Sequence, residues 1–101
     1  MVGSPRWRLY LSGNQLKSVP AELGELTALT RLGLGGNQLT SVPKQLESLT
    51  ALTGFLDLDM NQLTSVPAEL GTLTALKVLS LIGNKLTSVP AELGTLTALD
   101  G

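Results

Sequence analysis

Leucine recurs along this chain at short, fixed intervals, and the whole pattern returns 23 or 24 residues later. In Leu29-Thr30-Arg31-Leu32-Gly33-Leu34-Gly35-Gly36-Asn37-Gln38-Leu39, the apolar Leu32 and Leu34 alternate with Gly33. That period of two predicts a short strand with one buried face. Leu9-Tyr10-Leu11, Leu56-Asp57-Leu58 and Leu79-Ser80-Leu81 repeat it. Successive units run in the same direction, so the strands should form a parallel ladder about 4.8 Å apart. A period of this length is the signature of a solenoid, in which each unit packs only on its neighbours.

Polar punctuation keeps the same phase. Asn14, Asn37, Asn61 and Asn84 follow the strands in steps of 23, 24 and 23 residues, as do Pro20, Pro43, Pro67 and Pro90. An asparagine amide both donates and accepts, so a column of four can satisfy backbone groups that the turns leave unpaired. Each proline suits the first position of a helical turn, and Glu22, Glu69 and Glu92 follow where the helix dipole favours an anion. Gly24, Gly71 and Gly94 then close the segment, which predicts a short helix or 3₁₀ turn on the outer face. The second unit has Lys44, Gln45, Glu47 and Ser48 instead, and its outer segment is expected to be longer or differently tilted.

The phrase Leu29-x-x-Leu32-x-Leu34-x-x-Asn37-x-Leu39, with Val42-Pro43, Leu46 and Leu49 after it, resembles the leucine-rich repeat family, and its counterparts carry the likeness from about Arg6 to Gly101. The Val-Pro and Leu-Gly-x-Leu phrases look like the 23-residue subtype found in intracellular repeat proteins. Asn-Gln-Leu-x-Ser-Val-Pro is also similar to the variable lymphocyte receptors of jawless vertebrates, whose cysteine-bearing caps this chain lacks. The resemblance implies an α/β fold: a curved solenoid with a parallel sheet on its concave face, short turns on its convex face, partner proteins bound to the concave face, and no enzyme activity. The expected division is one domain over 1–101, with repeats at about 6–28, 29–51, 52–75 and 76–98 and a partial repeat at 99–101.

Composition narrows the chemistry. Cysteine and histidine are both absent, which removes thiol nucleophiles, disulfides, imidazole bases and the usual zinc ligands. A net charge of −1 gives no general attraction to nucleic acid or anionic membrane, and three aromatic residues are too few for a base-stacking platform. No apolar run nears the roughly 20 residues that span a bilayer. With no apolar signal core after Met1, no glycosylation sequon and no disulfide, a cytoplasmic setting is expected. No cofactor is expected.

Comparing the four units separates scaffold from variable surface. From Asn14 to Ala28 and its equivalents, nine of 15 positions are the same in every copy. The strand positions between the leucines differ: Arg8, Arg31, Phe55 (or Gly54) and Val78; then Tyr10, Gly33, Asp57 and Ser80; then Ser12, Gly35, Asp59 and Ile82. By alternation these face away from the core. Arg8, Tyr10, Arg31, Phe55, Asp57, Asp59, Lys77, Ser80 and Ile82 are therefore the candidate partner-binding set. Paired carboxylates at Asp57 and Asp59 could hold a hard cation or share a proton. No third carboxylate joins them, and Arg31 and Lys77 flank them, so the expectation is a salt-bridged surface cluster. The extra residue in Leu52-Thr53-Gly54-Phe55-Leu56 reads as a β-bulge that turns Phe55 inward, or as tolerated slippage, the preferred reading.

Neither end has a polar cap. Trp7 with Arg6 and Arg8 makes a thin lid, while Leu79, Leu81, Leu86, Val89, Leu93 and Leu96 are expected to face solvent at the other end. The first functional expectation is a protein-interaction module. The alternative is a structural or assembly element, a truncated array or a consensus scaffold, that pairs with its own copies through this edge.

Overall fold

The computed structural model describes residues 7–95. Strands β1 (Trp7–Tyr10), β2 (Leu29–Gly33), β3 (Phe55–Asp57) and β4 (Val78–Ser80) form one parallel sheet in chain order. Leu9, Leu32, Leu56 and Leu79 stand in one row across it. Leu32, Leu34, Leu56 and Leu58 are fully buried, as alternation demands of strands that share a single apolar face. Among the described residues, no helix is long and apolar enough to cross a membrane.

Behind the sheet the chain returns through four 3₁₀ turns, Ala21–Glu25, Lys44–Ser48, Ala68–Thr72 and Ala91–Thr95. The prolines sit one place earlier than the sequence suggested. Pro20, Pro43 and Pro67 cap the turns in an extended conformation, near φ −70° and ψ 144°, instead of occupying the first helical position. Each proline carbonyl accepts the first bond of its turn, from Leu23, Leu46 and Leu70. Those three leucines then bury themselves against the strand leucines, closing a two-layer core.

The second turn is not longer than the others. It has five residues, its ends have the dihedral angles of the first and third turns, and Leu46 and Leu49 make the same bonds. Proline and the buried leucines therefore set turn length, and glycine does not. Gly24 and Gly71 serve another purpose. A Cβ on Gly24 would stand 2.3 Å from the Gln45 carbonyl oxygen, and one on Gly71 would stand 2.4 Å from that of Glu92. They let the next turn approach. Glu47 occupies the equivalent place in the second turn, where a side chain is carried instead of glycine.

The asparagines join the layers of the stack. Asn37 accepts the N–H groups of Asn14 and Leu16 at 2.9 and 3.0 Å and donates to the carbonyls of Leu11, Leu34 and Gly35. Asn61 accepts from Leu39 and donates to Leu34, Leu58 and Asp59. Asn84 accepts from Leu63 and donates to Leu58 and Leu81. Each reaches backward into the preceding repeat. Asn37 and Asn61 are only 6% and 5% exposed, whereas Asn14 lies exposed with one local donation to Ser12.

Candidate functional site

The face of the sheet opposite the leucines carries the variable positions in ordered rows. Arg8, Arg31, Phe55 and Val78 pair in register, as do Tyr10, Gly33, Asp57 and Ser80. The extra residue of the third repeat is Gly54. Lys77 donates its N–H to Thr53, and Val78 pairs with Phe55, so Gly54 bulges between them without an opposite number. The insertion thus forms a bulge that seats Phe55 on the open face. Glycine is needed for space and not for backbone angle: Gly54 is not among the left-handed residues, but a Cβ there would meet Arg31 Cγ at 2.7 Å.

Two glycines of the second repeat make a trough across this face. Tyr10 leans from β1 over Gly33, where a Cβ would meet its Cδ1 at 3.0 Å. It thereby reaches Phe55, two strands away, and the rings stack with centroids 6.0 Å apart at 20°. From β3, Asp57 leans over Gly35, where a Cβ would meet its carboxylate oxygens at 3.1 Å. The sequence marks both glycines only as variable positions of this face, because their role depends on side chains that arrive from neighbouring repeats.

The carboxylate pair departs from expectation. Asp57 and Asp59 are not salt-bridged to Arg31 or Lys77; among the described residues neither carboxylate has an ion-pair partner. Asp57 Oδ1 accepts the N–H of Asp59 at 2.9 Å, while Asp59 Oδ1 accepts the Ser80 hydroxyl at 2.5 Å and the N–H of Ile82 at 2.7 Å. Local donors were nearer than any flexible cation. Arg31 lies instead with its guanidinium carbon 5.9 Å from the Phe55 ring centre. No group of three or more metal-binding side chains exists among the described residues.

The face is therefore graded along the strands. At the strand entrances Arg8, Arg31 and Lys77 border one cleft; the stacked pair occupies the middle; Asp57 and Asp59 stand at the exit. Tyr10 is 53% exposed, and beyond the carboxylates Met60 and Ile82 are exposed as well. Met60 escaped the sequence reading. It holds a left-handed φ of 56° at the place where Gly13, Gly36 and Gly83 stand in the other repeats.

At the far edge Leu79, Leu81, Leu86 and Leu93 are half-buried and Val89 is 55% exposed, while the third-repeat counterparts Leu56, Leu58, Leu63, Val66 and Leu70 are buried. Leu96, Arg6 and the partial repeat at 99–101 lie outside the described residues, as does the Trp7 side chain.

The family model described as Leucine rich repeat matches residues 8–63. A leucine-rich repeat protein of Leptospira interrogans superposes with a TM-score of 0.86 and 41% identity, covering 90% of this chain and 23% of that one. A TDR receptor superposes with a TM-score of 0.76 and 29% identity, over 92% of this chain and 17% of its own. No curated protein matches at a significant level.

Proposed function

Because the chain belongs to the leucine-rich repeat family, whose members typically mediate protein–protein interaction, we propose that it binds a protein partner through the open face of its sheet. The observation that carries this is the Tyr10–Phe55 stack: an exposed tyrosine laid over a half-buried phenylalanine through the Gly33 trough, with cations that have no ion-pair partner among the described residues on one side and carboxylates on the other. Anchored aromatic and arginine side chains are the groups that dominate interface energies. A standard interface uses about 20–30 residues on each side, more than four short strands supply, so the flanking Met60 and Ile82 should join the contact.

The test is capture of partners from source lysate by the native chain and by a variant with Tyr10, Arg31, Asp57 and Ile82 all changed to alanine. Capture should be lost in the variant. An identical captured set would end the open-face proposal.

A second reading rests on the half-covered leucines of the β4 edge. A further copy of this chain, meeting that edge most simply about a two-fold axis, would cover them. Sedimentation velocity of the native chain and of Leu81→Lys/Leu86→Lys tests it; a native chain that stays monomeric at all concentrations rejects the pairing.

A further inference from the structure

We propose that the cleft bordered by Arg8, Arg31 and Lys77 binds the phosphate-monoester group of a phosphorylated side chain. This rests on the open-face reading and specifies which chemical group the face would recognise.

The cleft has a volume of about 370 Å³ and is lined by Arg8, Thr30, Arg31, Thr53, Gly54 and Lys77. Three cations from three repeats meet there, and among the described residues none has a carboxylate within ion-pair distance. Two are guanidinium forks, the geometry that grips a phosphate through paired N–H donors; the third is an ammonium, a point charge suited to a remaining oxygen. Thr53 also lines the cleft, and its hydroxyl is of the type that can serve as a neutral donor.

Arg31 is already positioned. Its chain lies across Gly54, where no Cβ could fit, and its guanidinium rests against Phe55. Less side-chain freedom is then lost when an anion arrives. The bulge at Gly54 and the clustering of cations are thus parts of one arrangement.

Charge selects among anions. A phosphate monoester carries about −1.5 to −2 at neutral pH and balances most of three positive charges, whereas a carboxylate balances one. An extended polyanion such as nucleic acid would run onto Asp57 and Asp59 at the other end of the same face, and would be repelled. A single compact dianion avoids them. The stack beside the cleft, with Tyr10 exposed and Phe55 half-buried, suits an apolar residue flanking the phosphorylated one.

The experiment is titration of the ¹⁵N-labelled chain with phenyl phosphate, with benzoate, and with a short single-stranded oligonucleotide, at matched ionic strength. Phenyl phosphate should bind saturably and shift the amide signals of Thr30, Gly54 and Lys77 and the Arg31 Nε–H. Benzoate should bind at least tenfold more weakly. Arg8→Gln/Lys77→Gln should weaken phenyl phosphate at least tenfold, while Lys44→Gln, on the outer turn, should change nothing. Both altered cleft residues are exposed, and a spectrum unchanged outside the cleft verifies folding; Arg8→Lys, which keeps the charge but loses the fork, supplies an intermediate loss if the double variant fails to fold.

Equal binding of phenyl phosphate and benzoate, an unaffected double variant, or tighter binding of the oligonucleotide at these residues would each overturn the proposal. Failure here together with partner capture that still depends on Tyr10 and Ile82 rejects the phosphate site and leaves the open-face reading standing. Phosphate binding with unchanged capture does the reverse.

Discussion

Changing Asn37 and Asn61 to alanine, singly and together, distinguishes a shared network from a row of independent braces. In Asn37→Ala the Leu34 carbonyl keeps the Asn61 amide at 3.0 Å and the Gly35 carbonyl keeps the Gly13 N–H. The groups left alone are the N–H of Asn14, the N–H of Leu16 and the carbonyl of Leu11. All three belong to exposed or half-exposed residues that water can reach, so the loss is about 1–3 kcal/mol and not three full penalties. In Asn61→Ala the carbonyls of Leu34, Leu58 and Asp59 keep Asn37, Asn84 and the Gly36 N–H respectively. The Leu39 N–H, in a fully buried residue, loses its acceptor, again about 1–3 kcal/mol.

Only the double variant strips both amides from the Leu34 carbonyl, which belongs to a fully buried residue. Its destabilisation should exceed the sum of the singles by about 1 kcal/mol or more. Asn14→Ala with Asn61→Ala shares no acceptor and should be additive within about 0.5 kcal/mol. Urea unfolding followed by far-ultraviolet circular dichroism measures all species, in trimethylamine N-oxide to keep the double variant folded. An additive Asn37/Asn61 pair, or an Asn14→Ala loss as large as that of Asn61→Ala, would refute the shared-acceptor network.

Met60→Gly should raise stability by about 1 kcal/mol, because a left-handed backbone costs a side-chain-bearing residue about that much, and a lower thermal midpoint would contradict it. Gly24→Ala should cost about 1–3 kcal/mol by driving a Cβ into the Gln45 carbonyl, whereas Glu47→Ala at the equivalent place should be within about 0.5 kcal/mol of neutral; chemical denaturation of the pair decides it. Gly33→Val should push Tyr10 off Phe55, seen as loss of nuclear Overhauser contacts between the rings; a retained contact would show that the trough is not what permits the stack.

The ladder, the buried leucines and the family were legible because identical residues recur in phase, and each row of the sheet translates directly from the period. The rows of variable residues were legible too, since strand alternation fixes which face a residue takes. What remained hidden were contacts that cross repeats through a missing side chain. Gly33, Gly35 and Gly54 gain their meaning from Tyr10, Asp57 and Arg31 lying over them, and no pattern within one repeat signals that. The salt-bridge expectation failed for a related reason: charges were matched by their places on neighbouring strands, while the nearest donors to Asp57 and Asp59 are backbone N–H groups and the Ser80 hydroxyl. The glycines of the outer turns looked like terminators because they follow short helical phrases, yet their requirement comes from the neighbouring turn.

The backward reach of the asparagines gives the stack a direction in time. Leu16, Leu39 and Leu63 obtain acceptors for their N–H groups only from asparagines 21 or 22 residues downstream. A chain made from its N-terminus onward therefore cannot finish a turn when that turn leaves the ribosome; it must wait for the following strand and asparagine to emerge. Every repeat would spend one repeat's worth of synthesis with its corner open, and closure would advance as a front that trails the growing end by a constant distance.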